Sequence, residues 1–187
     1  MIFRETLLPG VKLISPEARK DARGAFSRVF CAETFATLGL APDVLQINTS
    51  HSISRHTLRG MHYQLGKSAE TKLVGCLRGA LWDVALDLRR ASPTFGQYFA
   101  AELSAENKQM LYVPKGCAHG FLTLTRDVEM IYFVSSPYDP EAERCVRWDD
   151  PTFAITFPHA PAAISEKDRT APDFDPEWHL GEVRACA

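Results

Sequence analysis

Apolar and polar residues alternate with period two in seven short segments: Leu45–Ser50, Lys72–Arg78, Leu81–Leu88, Gln97–Leu103, Met110–Val113, Gly120–Leu124 and Val128–Val134. Such alternation turns one face of a strand to a core and the other to water. Seven strands within about 90 residues, with no long helix between them, predict an antiparallel sandwich or barrel rather than a βαβ fold. Gly79-Ala80 fits a tight hairpin turn, while Ser92-Pro93-Thr94 and Pro114-Lys115-Gly116 punctuate the middle of the chain. Outside that block, Ala32–Leu38 reads as a short helix ending at Gly39. Ser165-Glu166-Lys167-Asp168 reads as a helix opening after Ile164, with acidic residues near its start. From Pro172 onward proline and charge predict a surface tail.

The 187 residues suit one domain, and 45% hydrophobic against 24% charged residues is enough to bury a core. A net charge of −2 offers no global field for nucleic acid or an anionic membrane surface, so an anionic ligand has to be met by a few local cations. Lys72, Arg78, Asp83 and Asp87 break up the most apolar stretches, well short of the roughly 18 residues of a membrane span. Met1-Ile2-Phe3-Arg4-Glu5 lacks the basic and apolar regions of a secretion signal. The five cysteines (Cys31, Cys76, Cys117, Cys145, Cys186) are odd in number and form no CxxC pair, which suits a reducing compartment. Together these features predict a cytosolic protein with no nucleic-acid or membrane partner.

Polar residues on core faces carry the first hint of chemistry, because burying them is costly unless they are paired or used. Alternation groups Lys72 with Val74 and Cys76, Tyr132 with Val128, Met130 and Val134, and Gln46 with Asn48 and Ser50. Each alone reads as an ordinary solvated or barrel-end side chain. Together they describe a polar pocket in the mouth of a barrel.

Two histidine motifs sharpen this. Pro114-Lys115-Gly116-Cys117-Ala118-His119 has the form P-x-G-x-x-H, and Gly60-Met61-His62-Tyr63-Gln64 has the form G-x-H-x-Q. They resemble the second and first motifs of the cupin superfamily, with Gln64 in place of the first motif's second histidine. Cupin metal sites use the intact histidine pair, a carboxylate and a later histidine, so the replacement removes a ligand. A weakened set of His62, His119 and Glu70 remains the metal-binding alternative, as in a metal-dependent oxygenase.

A longer series is more specific. Leu58-Arg59-Gly60-Met61-His62-Tyr63-Gln64, Lys72-Leu73-Val74, Asp83 to Arg89, Ser92 to Gly96, Glu102 to Asn107, Val113 to Phe121 and Val146 to Pro151 resemble, in order, the dTDP-4-dehydrorhamnose 3,5-epimerase family. The resemblance implies an all-β cupin-type jelly roll (a double-stranded β-helix) with an N-terminal strand extension and short C-terminal helices. It implies a single epimerase domain over residues 1–187: a jelly-roll core over about 40–150, an N-terminal segment 1–39 completing the site of a homodimer partner, and a C-terminal extension 151–187. The implied activity is inversion of C5, and of C3, in a nucleotide-linked 4-keto-6-deoxyhexose, with neither metal nor cofactor. Inversion of one centre only, or a non-catalytic sugar-nucleotide binder, are the other readings.

By the same resemblance His62 is the base and Asp168 its carboxylate partner, Tyr132 the acid on the opposite face, and Lys72 the cation near the C4 oxygen. Arg59, Asn48 and His119 match other pocket positions. Arg23 matches a diphosphate contact, Phe26 is retained beside it, Tyr138 matches a residue stacking near the base, and Gln46 and Lys167 are polar contacts to the nucleotide. Two departures stand out: Ala25 replaces an aromatic, and Arg28 stands where a glutamate contacts the base. The segment between Asn48 and Leu58, with His51 and His56, is one residue longer than the rhamnose-pathway pattern.

Overall fold

The computed structural model describes residues 1–41 and 43–181. Cys186 therefore lies outside the described residues. Strands β1 (Ile2–Glu5), β2 (Lys12–Ser15), β3 (Ala18–Asp21) and β4 (Gly24–Ser27) precede helix α1 (Ala32–Thr37). Eight strands make the body: β5 (Gln46–Ser52), β6 (Thr57–Gln64), β7 (Lys72–Arg78), β8 (Ala80–Asp87), β9 (Tyr98–Ser104), β10 (Met110–Val113), β11 (Cys117–Thr123) and β12 (Val128–Val134). Two short strands, β13 (Glu143–Cys145) and β14 (Ala163–Ile164), and helices α2 (Glu166–Arg169) and α3 (Pro176–Leu180) follow.

The strands form two facing sheets, in the orders β1-β2-β10-β7-β12-β5 and β13-β6-β11-β8-β9, with β14 added beside β6. This is the jelly roll that the motifs imply, with its N-terminal strands and short C-terminal helices. Between the sheets lies a core including Val74, Leu111, Val113 and Met130 from the first and Leu81, Ala85 and Phe121 from the second. Phe35 of α1 and Leu40 cover the outer face of the first sheet, while Phe153, Ile155 and Phe174 pack on the outer face of the second. Helix α1 ends as expected: Gly39 adopts φ +69°, and Leu40 N–H returns to the Phe35 carbonyl at 3.0 Å.

One expectation needs correction, and two details go beyond the sequence. Gly79-Ala80 is not a hairpin, because β7 pairs with β10 and β12 in one sheet, while β8 pairs with β9 and β11 in the other. Gly79 turns the chain between sheets at φ +77°, where a Cβ would lie 2.5 Å from the Thr125 hydroxyl. The segment from Pro172 lies on the surface as expected, with Pro172, Asp173 and Asp175–Trp178 exposed, but it is anchored there: Asp175 caps α3, His179 is fully buried, and the Tyr63 hydroxyl donates to the His179 carbonyl at 2.8 Å. Finally, Thr57–Gln64 is a strand although alternation does not mark it. The register with β11 slips by one residue between His119↔His62 and Phe121↔Arg59. That bulge brings Arg59 and His62, three apart in sequence, to the same pocket.

Candidate active site

The two sheets open at one end into a pocket of about 680 Å³. Its floor depends on a close approach of β6 and β11. A Cβ on Gly60, which has φ +125°, would sit 2.4 Å from Gly120 Cα, and one on Gly120 would sit 2.6 Å from Met61 Sδ. Only glycines allow these backbones to meet, and they hold His62 and His119 side by side in register.

His62 Nε2 lies 2.8 Å from Asp168 Oδ1. Asp168 is itself held from three sides. Gly60 N–H donates to its Oδ2 at 3.2 Å, and the Ser165 hydroxyl, capping α2, accepts from its N–H at 3.1 Å. Burial works against its ionisation, yet the His62 pairing with the Gly60 and Ser165 bonds holds its carboxyl below the usual range. An ionised Asp168 takes an N–H from the imidazole and leaves the second ring nitrogen as a base.

Across the pocket, on the first sheet, Lys72 Nζ donates to the His62 carbonyl at 3.1 Å and pairs with Glu70 at 3.2 Å. The Tyr132 hydroxyl shares a 3.1 Å hydrogen bond with Ser50. Burial pushes its phenol up to about 12, with Ser50 opposing, so at neutral pH it is a proton donor. His119 is buried against Asp83, Nε2 to Oδ1 2.8 Å. Burial raises the Asp83 carboxyl even though His119 and Lys72 favour its ionised form. Arg59 is braced by its Nε on Ser52 at 3.3 Å and its Nη2 on the His51 carbonyl at 3.2 Å.

Of the residues named from sequence, ten line this pocket: His62, Asp168, Tyr132, Lys72, Arg59, Asn48, His119, Gln46, Tyr138 and Lys167. Tyr138 and Lys167 meet at its rim through Glu143, Tyr138 donating at 2.8 Å and Lys167 forming an ion pair. Arg23, Phe26 and Arg28 do not join them. They sit on or just after the free β3–β4 hairpin, where Arg23 pairs with Asp21 at 2.6 Å and Phe26 is 70% exposed.

The alternative metal set is not assembled. Among the described residues, the donors that converge within 4.8 Å are His62, Asp168 and Cys145 instead, while His119 is engaged by Asp83 and Glu70 by Lys72. Gln64 is no ligand either. Its amide donates to the Ser68 and Pro137 carbonyls at 3.0 and 3.1 Å and its oxygen accepts from Asp139 N–H, which pins a loop. Sequence reasoning groups Ser50 with the polar pocket face but does not single out Cys145, Asp83 or Ser165. Only Cys145 shows no local signal at all, since strand pairing alone brings it to His62.

Comparison with known proteins decides what this pocket belongs to. The family model for dTDP-4-dehydrorhamnose 3,5-epimerase matches residues 5–176. The chain belongs to that family, whose members are isomerases. It is 44% identical over 175 residues to the dTDP-4-dehydrorhamnose 3,5-epimerase of Sinorhizobium fredii, covering 93% of this chain and 90% of the relative. The crystal structure of the Elizabethkingia anophelis dTDP-4-dehydrorhamnose 3,5-epimerase superposes with a TM-score of 0.90 at 42% identity, over 93% of this chain and 96% of that one. A 3′-monoepimerase from Streptomyces bikiniensis, solved with dTDP-quinovose, superposes at 0.86 with 33% identity over 95% and 90% of the two chains. Membership accounts for a jelly roll whose open end gathers an imidazole–carboxylate pair, a phenol and an ammonium.

Proposed function

We propose that this chain inverts C5 and C3 of a nucleotide-linked 4-keto-6-deoxyhexose, a dTDP sugar in the first instance, during deoxysugar biosynthesis. The observation that carries the reading is the His62–Asp168 pair on one sheet facing a protonated Tyr132 on the other. Carbons 3 and 5 flank the C4 carbonyl, so losing a proton from either gives an enolate. His62 takes the proton, its electron pair moves to the C4 oxygen beside Lys72, and Tyr132 protonates the opposite face. One proton leaves carbon and one arrives, so the balance requires neither metal nor redox cofactor. Chelator-dialysed enzyme is expected to keep its full rate; activity restored only by added iron, manganese or zinc would contradict this.

The chain acts in the cytosol as a homodimer. Strand β5 is an open sheet edge, and Ile47 on it and Leu45 just before it are each more than half exposed, an apolar surface that a second copy covers. The segment 1–39, with Arg23, Phe26 and Arg28 away from their own pocket, completes the partner's nucleotide subsite. The core over about 40–150 and the extension 151–187 complete the single domain, the latter supplying Asp168 and Lys167. Arg28 alters base preference, because a cation favours carbonyl oxygens where a carboxylate would favour donors. Competition by dTDP, UDP, CDP and GDP tests this; a dTDP preference that Arg28→Ala leaves unchanged contradicts it. Inversion of a single centre is the second reading, favoured by the 3′-monoepimerase neighbour. Deuterium counted at C3 and C5 of product formed in heavy water distinguishes the two.

A further inference from the structure

Cys145 has no part in these proton transfers, yet it sits against their base. Antiparallel pairing of β13 with β6 places it opposite His62. Its Sγ, a ring nitrogen of His62 and a carboxylate oxygen of Asp168 lie within 4.8 Å of one another. Cys145 and Asp168 are buried, whereas the His62 side chain is 31% exposed and, with Asp168, borders the pocket. The cluster is thus sealed behind and reached from the substrate side.

One nitrogen, one sulfur and one oxygen are the donors that a tetrahedral zinc ion takes, at bond lengths of about 2.0–2.3 Å, which set neighbouring donors roughly 3.3–3.8 Å apart. His62 and Asp168, now 2.8 Å apart, have to open by roughly half an ångström, and Cys145, within 4.8 Å of both, has to draw in by up to about 1.2 Å. Side-chain rotation supplies both. We propose that Cys145, His62 and Asp168 form a three-donor inhibitory site for a thiophilic divalent cation, zinc above all, entered through the substrate pocket. On binding, the thiol gives its proton to solvent, and the imidazole proton that faced Asp168 moves through solvent to the other ring nitrogen. Sulfur, the freed nitrogen and oxygen each donate an electron pair, and water from the pocket takes the fourth position. Magnesium and calcium, which prefer oxygen ligands, are excluded by the donor set. Engaging His62 stops turnover, a consequence that rests on His62 being the base.

The test starts from chelator-stripped enzyme titrated with zinc chloride alone in a calorimeter. Wild type is expected to bind one ion per chain, and Cys145→Ala and the nearly isosteric Cys145→Ser to bind at least about tenfold more weakly. Cobalt(II) is expected to give a near-ultraviolet sulfur-to-metal charge-transfer band in wild type and none in Cys145→Ala. Both variants keep turnover in zinc-free buffer and resist zinc concentrations that silence wild type. Unchanged zinc affinity in Cys145→Ala, or cobalt binding without the thiolate band, overturns the site. Zinc held through Cys145 that leaves carbon–deuterium exchange intact would instead overturn the inhibitory role, and with it His62 as the base.

Discussion

At the residue scale, the proposed chemistry rests on the ionisation state of two side chains. Asp168 is ionised because its bonds to His62, Gly60 and Ser165 outweigh its burial, and Tyr132 is neutral because burial outweighs its bond to Ser50. The lowered carboxyl means that Asp168 is ionised above the ordinary aspartate value of 3.8 and that the stability its charge contributes is lost only as pH falls through the lower folded-state value. His62→Ala is expected to abolish solvent exchange at carbon. Asp168→Asn is expected to bind substrate with similar affinity and turn over about 10²–10⁴-fold more slowly, as for a positioned acid–base group. Steady-state kinetics with separate KM and kcat check this, and near-normal exchange in His62→Ala would place the base elsewhere. His62, Lys72, Tyr132 and Asp168 were legible because their motifs are local. The partners of Tyr132 and Asp168 on other elements, Ser50 and Gly60, required the register of β5 with β12 and the docking of α2 on β6.

At the scale of elements, alternation marked β7 and β12 within a residue or two, although each buries residues on both faces, one against the second sheet and one beneath α1. It missed β6, whose bulge breaks the period and whose buried residues lie on both faces, and the exposed β3 and β4, which have no apolar face to betray them. The glycine pair of β6 and β11 was visible in sequence, but not its role. Gly60→Ala drives a Cβ to 2.4 Å from Gly120 Cα, so thermal melts are expected to show a loss of more than about 3 kcal/mol. The turn after β8 offers a cleaner electrostatic test. Burial opposes the ionisation of Asp87, but Arg89, Ser92 and Thr94 donate to it at 2.6–2.8 Å and bring its carboxyl from 3.8 to about 2. A depressed carboxyl stabilises the fold above its unfolded value and ceases to do so as pH falls from about 4 to about 2. Asp87→Asn is therefore expected to cost about 2 kcal/mol at neutral pH by urea unfolding, with a gap that narrows toward pH 2. A pH-independent difference would assign the effect to packing instead.

For the whole molecule, the two sheets bring His62 and Tyr132 to one cavity, and under the proposed function the exposed N-terminal hairpin serves another copy. Ile47→Arg, at the open edge by β5, is expected to turn a dimer into a monomer by light scattering and to weaken nucleotide-sugar binding. A wild-type chain that is monomeric at full activity would remove the partner from the account. The central claim, two proton-transferring groups on two sheets, is met most directly by Tyr132→Phe in heavy water. The substitution keeps the ring against the inter-sheet core that holds Val128 and Met130 and removes little more than one hydrogen bond, worth about 0.5–1.5 kcal/mol. Recovered substrate and product are analysed together for deuterium and for configuration at C5. The account predicts that wild type exchanges and inverts together, whereas Tyr132→Phe still exchanges through His62 but forms little inverted product. Inversion by Tyr132→Phe at the wild-type rate, or loss of exchange as well as inversion while substrate still binds, would contradict it.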